Sequence, residues 1–491
     1  MKSIIKPILT ALPLALPVAL SAASQPPKPA DKPNIIFILA DDAGIGDFST
    51  YGCKYGVTPN IDLLAKEGMK FNRAYSGNAV CAPSRDVLMT AMHPGHGVRR
   101  ANQSKTHGLI PMPAGQMTVA RLLHDAGYTT GGFGKWGLGN PGTTGIPDEQ
   151  GFDIFFGYYD QVLAHDYYPD YLVRNSVNEP IQQSGNHTWE DYSHTRIANE
   201  TLKFIEQNKD RPFFCYAAWT PPHMDWVIPD NAPYSQKDWS EDDKNYAAMV
   251  ALLDRDVGRV IQKLKDLGLD DNTLVIFSSD NGAHQNIIES LGSNGGLRGN
   301  KRLLYEGGIR APFIARWPGR IQPGATSDLL TTFMDFLPTA ADLAGVPAPQ
   351  GIDGISILPT LLGQKQTASH EFLYFELYEG GFQQSVRMGD WKGYRTGTKA
   401  PMELYNLKTD PVEAKNLAAE QPDVVKQIEA IMTAEHTPSP YYAAPEQGSP
   451  AKAGKKKGAG EKNKNQKKTT LNEMLNEENL NPAQGGQEVV K

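Results

Sequence analysis

Runs of apolar residues without polar alternation recur along the chain, a pattern typical of strands that are buried on both faces of a sheet. Five such runs are present: PNIIFILADD, YTTGGFGKW, RPFFCYAAW, NTLVIFSSDN and APFIARWP. Segments with helical periodicity separate them: NIDLLAKEGMKF, MTVARLLHDAG and DKNYAAMVALLDRDVGRVIQKLKDLG. Strands that alternate with helices predict an α/β fold with a large, mostly parallel sheet covered by helices on both faces.

The pattern changes near residue 365, where short segments replace the long buried runs. EFLYFELYEGG, QQSVRMGDWKGYR and MELYNL are typical of short antiparallel strands, and the helical segment DVVKQIEAIMTAEH follows them. We therefore predict a main α/β domain at residues 33–365 and a small α+β subdomain at residues 366–445. Residues 446–491 are rich in Lys, Asn and Gly, which indicates a disordered basic tail. Its basic block is compatible with binding an anionic polysaccharide or with simple solvation.

The N-terminus has the three-part pattern of a cleaved export signal. The basic start MKSIIK precedes the apolar run ILTALPLALPVAL and the small residues SAAS. We place the signal peptide at residues 1–23 and a proline-rich spacer at residues 24–32. The apolar run is shorter than a membrane span requires, and no later stretch is long and apolar enough to cross a bilayer. The sequence therefore predicts an exported protein, periplasmic or secreted, without a membrane span.

Composition limits how the protein is stabilised and which ligands it can attract. The chain has 491 residues, of which 40% are hydrophobic, enough for a large buried core. Its cysteines, Cys53, Cys81 and Cys215, are too few for a disulfide scaffold, and their odd number leaves at least one thiol unpaired after export. The net charge of −7 gives no global attraction for polyanions. Nucleic acid is therefore not expected as a partner, and an anionic ligand needs local positive charge.

Oxygen-bearing side chains follow two of the predicted strands. Asp41 and Asp42 come directly after FILA, and Asp280 and Asn281 come directly after VIFSS. Ligands of such sheets bind at the carboxyl ends of the strands, so the two pairs could converge on one site. Their hard oxygen atoms suit Ca²⁺, or Mg²⁺ with several retained waters. Taken singly, Asp41 and Asp42 are better explained as a helix cap, and Asp280-Asn281-Gly282 as a turn.

The pentapeptide Cys81-Ala82-Pro83-Ser84-Arg85 lies between these acidic pairs, and GFGKWGLG, with Lys135, follows it. Together these motifs resemble those of type I, arylsulfatase-like sulfatases, and the resemblance spans about Pro33 to Leu417. It implies an alkaline-phosphatase-like fold and an exported enzyme that hydrolyses sulfate esters of a carbohydrate. In that family a formylglycine-generating maturation enzyme converts the motif cysteine to formylglycine (3-oxoalanine).

An aldehyde at residue 81 explains why such a conversion is useful. The aldehyde hydrates to a geminal diol, of which one hydroxyl attacks sulfur while the other later drives elimination of sulfate. A divalent cation lowers the pKa of the diol and neutralises sulfate oxygens. The resemblance implies that the ion is Ca²⁺. Its implied ligands are the side chains of Asp41, Asp42, Asp280 and Asn281 and the oxygen of the modified Cys81.

The resemblance also assigns roles to cations and to a histidine. Arg85 hydrogen-bonds the formylglycine hydroxyl, and Lys135 and Lys301 contact the sulfate. His223 is the expected general acid at the leaving oxygen, assisted by Lys301, because histidine titrates near working pH. We further hypothesise that Asp280 accepts the proton of the attacking hydroxyl. Taken alone, each lysine could be solvated surface, and His223 could cap a loop.

Two positions depart from the family pattern. Gly137 follows Trp136 where many relatives have a histidine that helps to hold formylglycine, and Ala91 stands where glycine is usual. Another group must then replace the missing histidine, and His93 and His96 are the candidates from the sequence.

The substrate is less well defined than the chemistry. The segment GYYDQVLAHDYYPDYLVRN contains His165 and several tyrosines that suit a sugar ring, although such clusters are more often core. His284 follows the second metal-ligand pair and could also face the substrate. Similar exported bacterial sulfatases act on sulfated carbohydrates, so the resemblance implies a sulfate of galactose, N-acetylgalactosamine or a related sugar as the substrate class. Two alternatives remain open, a phosphate or phosphonate monoester hydrolase of the same superfamily and an inactive polyanion-binding homologue.

Overall fold

The computed structural model describes residues 32–103, 109–181 and 183–446. The predicted export signal, nearly all of the predicted spacer and nearly all of the predicted basic tail lie outside these residues. Within the described ranges, no helix has the length and apolar character that a membrane crossing requires.

Strands and helices alternate through the first two thirds of the chain. The strands are β1 Asn34–Ala40, β2 Met69–Phe71, β3 Ala74–Tyr75, β4 Thr129–Lys135, β5 Ile154–Tyr158, β6 Tyr171–Arg174, β7 Val177–Pro180, β8 Phe213–Ala218, β9 Thr273–Ser279, β10 Phe313–Arg316, β11 Ala325–Ser327, β12 Thr331–Thr332, β13 Phe372–Leu377, β14 Gln383–Met388, β15 Trp391–Arg395 and β16 Glu403–Asn406. The helices are α1 Pro59–Glu67, α2 Cys81–Thr90, α3 Val119–Asp125, α4 Ser193–Gln207, α5 Glu241–Asp266, α6 Gln285–Leu291, α7 Glu306–Ile309, α8 Phe336–Ala344, α9 Leu358–Leu361 and α10 Pro422–Ala434.

The main sheet has ten strands in the order β11-β2-β10-β9-β1-β8-β4-β5-β6-β7. Its central strands β9, β1, β8, β4 and β5 are parallel to one another. The predicted mostly parallel sheet is thereby confirmed. β10 departs from it by running antiparallel to β9, and β6 and β7 form an antiparallel edge beside β5.

Two apolar layers enclose the sheet. In β1, Ile35, Phe37 and Leu39 pack into one core cluster, whereas Ile36 and Ile38 pack into another. Residues of α2, α3 and α8 belong to the first cluster, and residues of α1, α4 and α5 belong to the second. Because helices cover both faces, the central strands need apolar residues at every position, which explains the unbroken apolar runs.

One predicted helix is too long. NIDLLAKEGMKF has helical periodicity throughout, yet α1 ends at Glu67 and Met69–Phe71 forms β2. Gly68 has φ −139° and ψ −145°, which no helix allows. A Cβ at Gly68 would lie 2.2 Å from the backbone oxygen of Ala315. Only glycine lets the chain pass this close to β10, so the close approach overrides the helical pattern.

The C-terminal region contains the predicted short antiparallel sheet. β13, β14, β15 and β16 pair in that order, each antiparallel to the next. Ile428 and Met432 of α10 pack on it. A buried ion network joins the sheet to α7, because Lys392 Nζ lies 3.0 Å from Glu306 Oε1 and 2.9 Å from Glu413 Oε1. The sheet therefore packs against the segment that follows Lys301.

Candidate active site

The ends of β1 and β9 bring the two acidic pairs together. The strands are adjacent and parallel, with Ala40 opposite Ser279, so the residues that follow them meet. The backbone nitrogen of Asp42 donates to Asp280 Oδ1 at 3.1 Å. Asn281 Nδ2 donates to Asp42 Oδ1 at 2.7 Å. Four oxygen-bearing side chains are thus buried at one point of the sheet edge.

Cys81 opens α2 beside this cluster. Its Sγ lies 3.3 Å from Asp41 Oδ1 and 3.8 Å from Asp42 Oδ1, and the residue is fully buried. Burial raises the pKa of the thiol well above its usual value, and the carboxylates of Asp280 and Asp41 raise it further. A thiolate is therefore disfavoured here, so the unmodified side chain is a poor nucleophile.

Arg85 lies on the same helix, four residues beyond Cys81. Its Nη2 is 2.8 Å from Asp280 Oδ2 and 3.3 Å from Asp41 Oδ2. Its Nη1 donates to the backbone oxygen of Lys135 at 2.7 Å. The guanidinium therefore fixes the ends of β9, β1 and β4 relative to α2.

Two lysines complete the charge balance. Lys135 Nζ, at the end of β4, lies 2.7 Å from Asp41 Oδ2, and both side chains are 0% exposed. Lys301 Nζ lies 2.7 Å from Asp42 Oδ2. Burial alone would lower the pKa of each lysine, but the carboxylates outweigh it and raise both values. Both ammonium groups are therefore charged, and each is paired with one carboxylate of the cluster.

The three carboxyl groups differ in their pKa values. Burial raises the pKa of Asp41 and Asp42, but the nearby cations, chiefly Lys135 for Asp41 and Lys301 for Asp42, bring both below the usual range. Burial and the charge of Asp41 raise the pKa of Asp280 to about 7. The cluster thus contains two firmly ionised carboxylates and one that can take up a proton near neutral pH.

His223 follows β8 and lies over the same cluster. Its Nε2 is 3.2 Å from Lys301 Nζ and 3.4 Å from Asp42 Oδ2. Its Nδ1 is hydrogen-bonded to the carbonyl oxygen of Met224, which can only accept, so Nδ1 carries the proton. The lone pair of Nε2 then accepts from Lys301. Burial lowers the pKa of His223 to about 3, with Lys135 and Lys301 acting in the same direction.

His165 and His284 lie at the margin of this arrangement. The ring centroid of His165 is 4.4 Å from that of His223. His284 accepts a hydrogen bond from the backbone of Asn286 at 3.3 Å and so caps α6, while its ring lies 5.9 Å from that of Trp226. Burial lowers the pKa of both histidines, that of His284 to about 4. Both rings are therefore neutral at pH 7.

His93 and His96 do not replace the histidine that is missing at position 137. His93 Nε2 lies 2.9 Å from Glu435 Oε2, and its Nδ1 accepts from the backbone of Gly95 at 3.1 Å. His96 Nδ1 lies 2.9 Å from Asp353 Oδ1. The sequence-based assignment is wrong because these rings bind carboxylates of a different cluster, beside α10.

Gln161 is the residue whose side chain lies next to Gly137, where many relatives have the histidine. A Cβ at Gly137 would lie 3.7 Å from Gln161 Oε1, and this oxygen is buried without a partner among the described residues. Gly137 has φ 78°, a left-handed conformation that favours glycine over histidine. No motif in the sequence marks Gln161, so sequence reasoning could not find it.

The donor set fits a hard divalent cation. Asn281 Oδ1 is buried and has no hydrogen-bond partner among the described residues, although its Nδ2 is bonded to Asp42. Ligand atoms of Asp41, Asp42, Cys81 and His223 all lie within 4.8 Å of one another. A buried oxygen without a donor, next to carboxylates, is what an oxygen-coordinated ion would satisfy.

A ten-stranded α/β sheet with this cluster at its strand ends defines an alkaline-phosphatase-like hydrolase. The family model described as Sulfatase matches residues 33–346, and the model described as N-sulphoglucosamine sulphohydrolase, C-terminal, matches residues 298–437. The chain belongs to the sulfatase family.

Curated and solved relatives agree with this assignment. The chain is 32% identical to human Arylsulfatase A over 462 residues, covering 82% of this chain and 87% of that protein. It is 34% identical to N-acetylgalactosamine-6-sulfatase of Canis lupus familiaris over 390 residues, covering 74% and 71%. The solved structure of Ps i-CgsB in complex with k-i-k-neocarrahexaose has a TM-score of 0.74 at 28% identity and covers 83% of this chain and 94% of that one. The protein is accordingly a sulfuric ester hydrolase.

Proposed function

We propose that this protein is an exported sulfatase that hydrolyses sulfate esters of a carbohydrate with a formylglycine at position 81 and bound Ca²⁺. The observation that carries the proposal is the position of Cys81 Sγ, 3.3 Å from Asp41 and enclosed by the ionised cluster. The N-acetylgalactosamine-6-sulfatase relatives and the neocarrahexaose complex support a sulfated sugar as the substrate class. Export to the periplasm or the medium is supported by the N-terminal sequence pattern, which lies outside the described residues.

Four side chains would hold the ion: Asp41, Asp42, Asp280 and Asn281. When bound, Ca²⁺ would acidify the nucleophilic hydroxyl and offset negative charge on the sulfate. The buried, partnerless Asn281 Oδ1 supports this assignment. Lys135 and Lys301, which contact Asp41 and Asp42, would then be positioned to bind the sulfate oxygens.

The raised pKa of the Cys81 thiol keeps the unmodified side chain protonated and a poor nucleophile, so the proposed reaction requires the aldehyde. A hydrated aldehyde supplies two hydroxyl groups at one carbon, one to attack and one to release the product. Asp280 would accept the proton of the attacking hydroxyl, and before an ion binds, burial and the charge of Asp41 raise its pKa to about 7. Arg85 holds that carboxylate in place through Nε and Nη2, at 3.1 and 2.8 Å.

The leaving alcohol needs a proton, and His223 with Lys301 would supply it. His223 Nε2 accepts from the Lys301 ammonium, so the pair shares one proton next to the cluster. The low pKa of the free histidine makes Lys301 the protonated member until the substrate arrives. A bound sulfate brings negative charge that raises the pKa of His223, so Nε2 can take the proton from Lys301 and pass it to the leaving oxygen as negative charge develops there.

Mass spectrometry of the peptide that contains residue 81, combined with activity assays, tests the proposal. We expect an aldehyde in the active protein and hydrolysis of an aryl sulfate far faster than that of the matching aryl phosphate. Cys81→Ala should abolish sulfate release, whereas Cys53→Ala, which changes a half-buried thiol that sequence and site analysis leave without a catalytic role, should retain it. Unchanged sulfate release by Cys81→Ala would contradict the proposal, and faster phosphate hydrolysis would favour the phosphatase alternative.

A further inference from the structure

A chain of three polar residues joins the backbone beside Cys81 to the C-terminal sheet. Asn102 Oδ1 accepts from the backbone nitrogen of Ala82 at 3.0 Å. The backbone nitrogen of Asn102 donates to Glu379 Oε2 at 3.3 Å, and Arg302 Nε donates to Glu379 Oε1 at 2.6 Å. Glu379 lies in the turn between β13 and β14. The C-terminal sheet thus contributes a charged side chain close to the reacting residue.

The turn that carries Glu379 is anchored by aromatic packing. The rings of Tyr378 and Phe382, on either side of the turn, have centroids 4.9 Å apart. The backbone nitrogen of Tyr378 donates to the backbone oxygen of Arg100 at 3.1 Å. Glu379 is therefore presented from a fixed turn rather than from a free loop.

Arg302 is held in an uncommon backbone conformation beside the active site. Its φ is 77°, in the left-handed region that non-glycine residues rarely adopt. Its backbone nitrogen donates at 2.8 Å to the oxygen of Ala79, two residues before Cys81. Such strained positions cluster at ligand-binding and catalytic sites.

The guanidinium of Arg302 differs from the other cations of the site. Arg85, Lys135 and Lys301 are buried, and each is paired with a cluster carboxylate. The side chain of Arg302 is 42% exposed. Among the described residues, its side chain bonds an acceptor through Nε alone, to Glu379, which leaves Nη1 and Nη2 available. A guanidinium held in this way can bind a sulfate or a carboxylate through two parallel hydrogen bonds.

We propose that Arg302, oriented by Glu379, binds a second anionic group, a sulfate or a carboxylate, on the carbohydrate that carries the scissile sulfate ester. This inference rests on the proposed sulfatase function and narrows its substrate to polyanionic sugars. The net charge of −7 gives the chain no global attraction for such a ligand, so an outward-facing local cation is required. The charge of Asp42 contributes to the raised pKa of Arg302, after that of Glu379, which agrees with the closeness of Arg302 to the reacting centre.

The test compares three oligosaccharides with full-length protein that carries the aldehyde. One substrate has only the scissile sulfate, the second has an additional sulfate, and the third has an additional uronate carboxylate. We expect a higher kcat/KM for at least one of the doubly anionic substrates. Arg302→Gln should lower the ratio of that kcat/KM to the single-sulfate value by about tenfold or more, as expected for losing a charge-assisted contact. The substrate whose ratio falls identifies the second group as sulfate or carboxylate.

Matched variants separate recognition from folding. Arg320→Gln removes an exposed cation that stacks on Trp317, and it should leave the ratio unchanged. Glu379→Gln keeps an acceptor for Arg302 Nε and removes a negative charge, so the ratio should hold or rise. If Arg302→Gln does not fold, Arg302→Lys is tested instead. It keeps the positive charge but removes the two parallel N–H donors of the guanidinium, so it should lower the ratio by less than Arg302→Gln would.

The inference is overturned if wild-type protein shows no preference for either doubly anionic substrate. It is also overturned if the folded Arg302 variant keeps the wild-type ratio. Wild-type protein that carries the aldehyde but cleaves no sulfate ester would instead contradict the proposed function itself.

Discussion

At the scale of single residues, the site works by setting neighbouring groups to different protonation states. Burial lowers the pKa of His223 to about 3, whereas carboxylates raise that of Lys301. Hydrogen bonding fixes the proton of the ring on Nδ1, so Nε2 is the atom that can exchange a proton with Lys301. The pair can therefore act as an acid although the free histidine is neutral.

This arrangement predicts a dependence on the leaving group. His223→Gln should lower kcat/KM for a sugar sulfate by about 10²–10⁴, the usual contribution of a general acid. The loss for an activated aryl sulfate should be much smaller, because a phenolate leaves without a proton. Steady-state assays with both substrates measure the difference, with the exposed His124→Gln as the control. Equal losses on both substrates would show that His223 binds the sulfate rather than protonating the leaving group.

Asn281 leads to a prediction about metal removal. Its Oδ1 is buried without a partner among the described residues, and its Nδ2 donates to Asp42 Oδ1 at 2.7 Å. Chelation should therefore lower both activity and melting temperature, and Ca²⁺ should restore both more effectively than Mg²⁺. At about 100 times its dissociation constant a bound ion adds about 2.7 kcal/mol to the free energy of unfolding. Thermal unfolding with and without chelator measures this, and Asn281→Ala should respond less than wild type. A melting temperature that does not change when the chelator is added would rule out the proposed metal site.

At the scale of elements, a histidine cluster links the segment after α2 to α10. His96 lies 2.9 Å from Asp353 and 3.7 Å from Glu435, and its ring stacks on that of His93. The hydrogen bond to Asp353 raises the pKa of His96 above its usual value. A raised histidine pKa means that the folded state holds the proton more tightly than the unfolded state.

The stabilisation should therefore be complete below the unfolded pKa of His96, about 6.5, and disappear as pH rises through the higher folded value. His96→Gln should destabilise the protein at pH 5 by about 1 kcal/mol or less, since the pair is part-exposed, and have little effect at pH 9. Denaturant unfolding of both proteins at the two pH values measures the difference. A difference that grows toward high pH would contradict the assigned role.

Elements also show what the sequence can and cannot predict. β1 and β9 can be predicted from the sequence because a strand covered on both faces has apolar residues at every position. The acidic residues that follow them lie close together because the two strands are parallel neighbours. The antiparallel direction of β10 cannot be predicted, since it depends on the path of the chain between β9 and β10 and not on the local sequence. Gln161, Asn102 and Glu379 belong to no motif and approach the site only through tertiary packing, so the sequence alone could not reveal them.

At the scale of the whole molecule, buried ions hold the C-terminal sheet against α7. Lys392 in β15 contacts both Glu306 in α7 and Glu413, and all three side chains are essentially unexposed. Burial and the charge of Glu306 raise the pKa of Glu413, while Lys392 opposes this increase.

Removing the central cation should therefore affect stability strongly. Lys392→Met leaves buried Glu413 without its cation and leaves Glu306 with Arg310, and breaking a buried ion pair in this way typically destabilises by about 3–5 kcal/mol. Adding Glu413→Gln to that variant removes one of the two charges and should recover part of the loss. Lys399→Met, which breaks the exposed pair with Glu446, is the matched control and should change stability by no more than about 1 kcal/mol. Denaturant unfolding measures all three variants, and equal effects of Lys392→Met and Lys399→Met would show that the C-terminal sheet is held by apolar packing instead.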